Sequence, residues 1–587
     1  MTKLFRYLKK REWAMAAVSL VFIVAQIWLD LRLPEYMSEI TILVQTEGSV
    51  MSDILSAGGK MLVCALASML LAIATGFFSA IIAASISRTL QDKLYHKVLS
   101  FSSEEVGRFS TASLITRTTN DVSQIQMVFA MGLQLIIKAP ITAVMAIMKI
   151  QDKGNWQWTA LTAGAVVILL CVVLFLVLFA LPRFKKMQRL TDNLNRITRE
   201  NLTGLRVVRA YNAEKYQESK FTDANNELTR NNLSANRALA IMSPLMSLVM
   251  NGISLGIYWI GAYLIDAAGM QDKLTIFSNM VVFSSYSMQV IMSFMMLAVI
   301  FVMLPRAQVA AGRILEVLNT EPTQKNGSVT TSDEQKKGEI VFDHVSFRYP
   351  GGEENVLSDI SFTAHAGETV AFIGATGSGK TTLVNLIPRL YDATEGKVLV
   401  DGVDVKDYDM HALRNKLGYV SQKATLFAGN IKGNITLGDN GKTDPDQAAI
   451  QKALDIAQAS EFIDNLPDGT SSDVTQGGTN FSGGQKQRLS IARAVARDPE
   501  IYIFDDSFSA LDYKTDRALR TRLKKEASGT TTLIVAQRIG TIMDADRIVV
   551  LDDGKAVGIG THAQLLNSCP VYRQIAESQL SKEELAR

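Results

Sequence analysis

Six apolar runs limit what this chain can become. They lie near residues 14–33, 61–86, 127–149, 157–181, 239–265 and 275–304 of 587. Each offers about 20 or more mostly apolar residues, the length an α-helix needs to cross ~30 Å of hydrocarbon. Backbone N–H and C=O groups in hydrocarbon have no water to bond, so such runs are expected as transmembrane helices. A wholly soluble protein is excluded, and the 48% hydrophobic content excludes a disordered one. The first run is the least clean, because Asp30 and Arg32 sit at its far end. It is too long for a signal-peptide core and lacks a small-residue cleavage site, so it is expected to be retained.

Lys and Arg placement sets the expected orientation. The N-terminus carries Lys3, Arg6, Lys9, Lys10 and Arg11, and the 182–238 connection is rich in Arg and Lys from Arg183 to Arg237. The N-terminus, the long connections 87–126 and 182–238, and the C-terminal half are therefore expected in the cytoplasm. The long connections have few Gly or Pro, and Leu190, Leu194, Ile197, Leu202, Leu205 and Val208 recur at helical spacing. The spanning helices should thus run on beyond the membrane and turn back. Met1 to Glu12 puts Leu4, Phe5 and Leu8 opposite basic residues, which suits a short helix on the membrane surface.

Lys138 is the one charge deep within a span, read either as functional or as snorkelling toward water. Met288, Met292, Met295 and Met303 share one helical face, as ligand-lining or packing residues. The three cysteines, Cys64, Cys171 and Cys569, are far apart and are expected to be buried thiols, with no disulfide or metal spacing. A net charge of +3 gives no basic field calling for nucleic acid.

Residues 319–338 are polar with Pro and Gly and read as a linker. Strands and helices alternate beyond it. Gly338–Phe342 and Thr369–Ile373 read as buried strands. The second runs directly into Gly374-Ala375-Thr376-Gly377-Ser378-Gly379-Lys380-Thr381-Thr382 and then an apolar helix. This is a phosphate-binding loop in its required strand–loop–helix setting. Its glycines let backbone N–H groups wrap phosphates at a helix N-terminus, Lys380 offers a point charge, and Thr381 offers a hydroxyl to Mg²⁺. Ile501–Asp505 reads as a buried strand ending in the second metal-organising acid, Asp505.

Between these motifs lie Gln422 in YVSQ and Asn480-Phe481-Ser482-Gly483-Gly484-Gln485-Lys486-Gln487-Arg488. Here the sequence resembles the ATP-binding cassette (ABC) transporters, whose signature is FSGGQKQR. The resemblance assigns Tyr349 to adenine stacking, Gln422 to the Q-loop, and Ser509-Ala510-Leu511-Asp512 to the D-loop. Gly204–Tyr211 looks like the approach to an exporter's second coupling helix, and Arg117–Val122 like a motif after the first.

The implied fold is an all-α, six-span membrane domain over 1–318, a linker over 319–338, and an α/β P-loop nucleotide-binding domain over 339–587 with an α-helical signature subdomain. The implied cofactors are ATP and Mg²⁺, the latter at Thr381, Gln422 and Asp505. Gly374, Thr376 to Thr382 and Tyr349 would bind this chain's ATP. Ser482, Gly483, Gly484, Gln485 and Asp512 would complete a site across a dimer. The implied location is a bacterial cell membrane, among lipid.

Two positions depart from the family pattern. Asp506 stands where hydrolytic sites carry Glu, and Gln537 where they carry the switch His. Asp falls short by about 1 Å, and misplacement on that scale can cost ~10²-fold. Gln bonds phosphate oxygens but cannot carry a proton as His does. Thr475-Gln476-Gly477-Gly478 also replaces the usual acidic and basic pair before the signature. The pairing resembles the degenerate-site subunit of bacterial heterodimeric multidrug exporters. This implies a slow site here, a sister chain with Glu and His, and hydrophobic or amphipathic cargo. A lipid or peptide exporter half, a slow homodimer and an ATP-gated channel are the alternatives.

Overall fold

The computed structural model describes residues 2–46, 48–153, 156–269, 272–443, 445–526 and 529–581. The chain forms two compact units, Met1–Leu99 with Ser110–Thr320, and Ser100–Phe109 with Glu321–Arg587.

The first unit is built on long helices: Lys10–Gln45, Met51–Leu99, Val122–Lys153, Trp156–Thr203, Glu214–Ala267 and Lys273–Asn319. Met51–Leu99 has 49 residues and Glu214–Ala267 has 54. At 1.5 Å per residue they extend about 70–80 Å, more than twice the hydrocarbon thickness. The connections read as helical continuations are therefore part of the spanning helices. Among the described residues, five helices hold a segment long and apolar enough to cross a membrane, and Trp156–Thr203 holds the shorter apolar segment Trp156–Val172.

Lys138 is not alone. Its Nζ lies 3.7 Å from Asp30 Oδ2, and Ser68 also donates to Asp30. Lys149 donates to Glu35 at 2.8 Å, and Tyr286 donates to Glu35 at 3.3 Å. Asp30 and Arg32 lie mid-helix rather than at the end of a span, because their helix continues to Gln45. Asp30, Ser68, Lys138 and Gln289 stand 15 to 17 residues from the helix ends Gln45, Met51, Lys153 and Lys273. That places all four about 22–26 Å along their helices. A charge in hydrocarbon is costly and finds a partner at its own depth.

The N-terminal turn Thr2–Tyr7 packs on protein: Leu4 is fully buried and the Phe5 ring lies 5.4 Å from Phe129. Of the cysteines, only Cys569 is buried; Cys64 is half-buried and Cys171 exposed. The latter two sit on long apolar helices that leave many apolar side chains uncovered by protein. Met246 and Met280 are buried among the helices, whereas Met292 and Met296 are exposed. The segment Arg117–Asp121 is a π-helical turn, in which Arg117 donates to Glu316 at 2.6 Å and Asp121 pairs with Arg313 at 3.2 Å. Such turns interrupt the regular ladder and recur at functional places.

The second unit holds two larger sheets and a short pair. Strands β1 (Ile340–Phe347), β2 (Leu357–Ala364), β4 (Glu395–Val400) and β5 (Val403–Asp404) form an antiparallel sheet in the order β2-β1-β4-β5. Strands β3 (Thr369–Gly374), β6 (Leu417–Val420), β9 (Ile501–Asp505), β10 (Thr531–Val535), β11 (Arg547–Asp552) and β12 (Lys555–Gly560) form the other, in the order β12-β11-β3-β10-β9-β6. All neighbours in it are parallel except β12 on β11. Strands β7 (Gly429–Asn430) and β8 (Asp473–Val474) pair near the helical signature region. β9 and β10 are buried throughout, as the central strands of a parallel sheet covered on both faces.

Part of the polar 319–338 stretch is docked. Gly327 N donates to Tyr408 O, and Ser328 N and Val329 N donate to Asp407 O, each at 3.0 Å. A Cβ at Gly327 would come 2.1 Å from Asp407 O, so the close approach requires glycine. The helix Ser103–Phe109 belongs to this unit too. Glu105 accepts from Thr323 N at 2.9 Å, and from Ser102 N and Oγ at 2.8 and 2.6 Å.

Candidate nucleotide site

The site grows from one edge of the parallel sheet. The loop 375–379 follows β3, Gln537 follows β10, Asp505 and Asp506 end β9, and Gln422 follows β6. These four strands are consecutive neighbours in the sheet. Ligands of open α/β sheets bind at such carboxyl ends.

The phosphate loop is shaped by left-handed glycines. Gly377 has φ 89° and Gly379 φ 93°, conformations that other residues adopt only at a cost. A Cβ at Gly379 would meet the Leu357 side chain at 2.7 Å. Thr376 and Gly377 are exposed, whereas Ser378, Lys380 and Thr382 are buried. Lys380 opens the helix Lys380–Leu386, and its Nζ donates to Gly374 O at 2.8 Å and Ala375 O at 2.7 Å. Burial pulls its pKa below the ordinary lysine value, against the upward pull of Asp506 and Asp505. Tyr349 stands edge-on to Tyr391 at 5.2 Å, and its hydroxyl lies 2.9 Å from Thr382 Oγ1. The aromatic read as an adenine platform is thereby tied to the helix that follows the loop.

Thr381 Oγ1 donates to Asp505 Oδ1 at 2.8 Å. Burial raises the Asp505 carboxyl above its ordinary value; the Thr381 bond opposes this, Asp506 adds to it, and Lys380 opposes it. A hydroxyl and a buried carboxylate are hard oxygen donors of the kind Mg²⁺ takes beside phosphate oxygens. Among the described residues, no cluster of three or more His, Cys, Asp or Glu could hold a metal by protein ligands alone. The donor set therefore fits a cation shared with a nucleotide.

Asp506 is where the two sequence departures meet. Its Oδ2 accepts from Gln422 Nε2 at 3.1 Å and from Gln537 Nε2 at 2.8 Å. The residue is 8% exposed and has φ 47°, with its N–H donating to Val535 O at 3.1 Å. The backbone thus turns sharply at the strand end and delivers the carboxylate between two amides. Gln422, read as a metal ligand, has its amide nitrogen committed to Asp506. Its oxygen is the atom it would offer a cation.

The signature forms a capping box at the start of helix Gly483–Ala496. Ser482 Oγ accepts from Gln485 N at 3.3 Å, and Gln485 Oε1 accepts from Ser482 N at 2.9 Å. Ser482 and Gly483 are exposed, and nothing stands within 4 Å of a Cβ at Gly483. A Cβ at Gly484 would lie 3.3 Å from Ala510 O, so signature and D-loop abut within the chain. Asp512 accepts from Thr515 N at 3.0 Å. Among the described hydrogen bonds, none joins Ser482–Gln485 or Asp512 to the 374–382 loop. The chain brings together the loop, Asp505, Asp506, Gln422 and Gln537, and leaves Ser482 and Gly483 of the signature exposed.

One contact of this site had no motif to announce it. Gln579, at the end of the chain's last described helix, donates to Gln537 O at 2.8 Å and accepts from Ile539 N at 2.8 Å. Its only sequence signal is the lack of a Ser, Thr, Asp or Asn before Ile539, where the next helix starts.

Comparison with known proteins agrees with this geometry. Residues 16–294 match the ABC transporter transmembrane region, and 357–509 match the ABC transporter family. A Mycobacterium tuberculosis ABC transporter ATP-binding protein is 40% identical over 91% of this chain and 88% of its own length. The chain belongs to the ABC transporter family. This ABC transporter is also 34% identical to a Bacillus subtilis ABC transporter ATP-binding protein, over 99% of both chains. An ATP-dependent lipid A-core flippase of Pseudomonas aeruginosa is 32% identical over 86% of this chain and 82% of its own length. The solved structure of a bacterial Atm1-family ABC exporter with ATP bound superposes with a TM-score of 0.80, covering 98% of this chain and 99% of that one, at 23% identity. The fold is that of an ABC exporter half, a helical transmembrane domain followed by a nucleotide-binding domain.

Proposed function

We propose that this ABC exporter half works beside a different sister chain, as the subunit whose own ATP site is slow. The observation that carries this is the double hydrogen bond from Gln422 and Gln537 onto Asp506 Oδ2. A general base has to reach the water it activates. Asp506 is one methylene shorter than Glu, and its carboxylate oxygen is already shared by two amide donors. Gln537 gives a hydrogen bond but cannot relay a proton as His does. Binding needs other groups. Lys380 and the loop N–H groups would hold the outer phosphates, Tyr349 would stack on the base, and Thr381, Asp505 and the Gln422 oxygen would hold Mg²⁺. Bound there, Mg²⁺ supplies charge neutralisation to the phosphates.

The exposed signature, Ser482 to Gln485, would close the sister's site, with Asp512 beside it. That sister would carry Glu and His at the positions of Asp506 and Gln537. Closure of the two cassettes would switch the membrane helices between inward- and outward-open states, with both termini in the cytoplasm, and expel hydrophobic or amphipathic compounds. Lipid is the second reading of the cargo, because lipid A-core flippases are among the relatives.

Affinity purification of this chain from its native membrane, with mass spectrometry of the complex, tests the assignment. A second half-transporter with Glu and His at those positions, in equal amount, is expected. Recovery of this chain alone, active in transport, overturns it.

A further inference from the structure

The end of the cassette reaches back to the switch position. Helix Pro570–Gln579 is anchored by Tyr572 and Ala576, both fully buried, and Tyr572 Oη lies 2.6 Å from His562 Nδ1. Its last residue, Gln579, meets the backbone on both sides of Arg538. The amide nitrogen donates to Gln537 O and the amide oxygen accepts from Ile539 N, each at 2.8 Å. These two backbone groups need a partner. The sheet ladder ends just before them, with Ala536 N donating to Phe372 O at 3.1 Å. The helix Ile539–Ile542 starts at Arg538, which gives it no side-chain cap. One amide side chain thus supplies an acceptor for the first helical N–H and a donor for the carbonyl of the switch residue.

The Gln537 side chain leaves that same fixed backbone and donates to Asp506 Oδ2 at 2.8 Å. We infer that Gln579 is a positioning residue of the nucleotide site: it holds the Gln537 backbone so that the Gln537 amide stays on the Asp506 carboxylate and keeps this site slow. The inference rests on the reading of Asp506 as a carboxylate occupied by amide donors. Gln579 touches no substrate; it acts through Gln537.

Its sign separates it from ordinary structural support. Loss of a supporting contact lowers an enzyme's rate, whereas loss of Gln579 is expected to raise it, because Asp506 would keep only the Gln422 bond. The experiment is single-turnover hydrolysis of radiolabelled ATP with Mg²⁺ by the purified full-length chain, concentrated so that two copies bring a signature to each loop, comparing Gln579→Ala, Gln579→Glu, Gln537→Ala and Gln579→Ala with Gln537→Ala. Gln579→Ala should raise the rate about 2- to 10-fold, the range that one hydrogen bond of ordinary net strength spans. Gln579→Glu keeps an acceptor for Ile539 N but loses the donor to Gln537 O, so it should accelerate as well. It also serves where the alanine variant fails to fold. The double variant should equal Gln537→Ala alone. An unchanged or reduced rate in folded Gln579→Glu, or effects that multiply in the double variant, overturns the inference. A wild-type chain that already hydrolyses briskly overturns instead the reading of the site beneath it.

Discussion

At the scale of single residues, the proposed slow site divides the groups that would hold ATP from those that would split it. Asp505 and Asp506 are adjacent, yet one faces Thr381 and the other lies under two glutamines. Changing Asp506→Glu together with Gln537→His should raise turnover of the assembled transporter, by up to ~10²-fold at this site if reach is what limits it. No gain in steady-state phosphate release would show that something else limits the site. Asp505 gives a prediction of opposite kind. Its carboxyl titrates above the ordinary value of 3.8, so the native state holds that proton more tightly than the unfolded chain does. Its charge therefore costs stability as pH rises through the native pKa, and the cost remains at neutral pH. Asp505→Asn should raise the thermal midpoint of the nucleotide-free protein at neutral pH and abolish Mg²⁺-dependent ATP binding. Thermal melting with and without Mg²⁺-ATP checks both.

At the scale of elements, the sequence and the fold agree where one periodicity or one motif decides the outcome. The apolar runs were legible because hydrocarbon calls for apolar side chains all round a helix, and the strand before Gly374 and the strand ending at Asp505 because burial on both faces leaves a continuous apolar record. The motifs gave the loop, Asp505, Asp506, Gln422 and Gln537, but not that Asp506 would be shared by the two amides. That contact depends on β9, β10 and β6 lying side by side, and neighbour order is not written in any one strand. The partner of Lys138 was hidden for a similar reason, since Asp30 precedes it by more than a hundred residues and meets it only through helix packing. Lys138→Ala should leave the half-buried Asp30 with Ser68 but no cation, at a cost of about 1 kcal/mol read as a loss of thermal midpoint in detergent. Exchanging the two residues, Asp30→Lys with Lys138→Asp, should recover much of it.

The short helix Ser103–Phe109 also sits where sequence alone could not put it. Burial would raise the Glu105 carboxyl, but bonds from Ser102 and Thr323 outweigh that and hold it below the ordinary 4.5. A depressed carboxylate stabilises above its unfolded pKa and loses that contribution as pH falls through the folded one. Glu105→Ala should therefore loosen this helix at neutral pH, with the wild-type contact weakening under acid. Protease sensitivity near residues 100–109 measures both effects.

At the scale of the molecule, ABC exporters work as dimers, and the exposed Ser482 and Gly483 of this chain's signature suit contact with a second cassette. The proposed sister supplies the signature for this chain's loop and takes this chain's signature in return. The decisive measurement is ATP binding and hydrolysis by the full-length chain purified free of any sister, in lipid nanodiscs with Mg²⁺. The account predicts bound ATP with turnover far below ~1 s⁻¹, the lower end of ordinary enzyme rates. Turnover of about 1–10 s⁻¹ or more by the lone chain would contradict it.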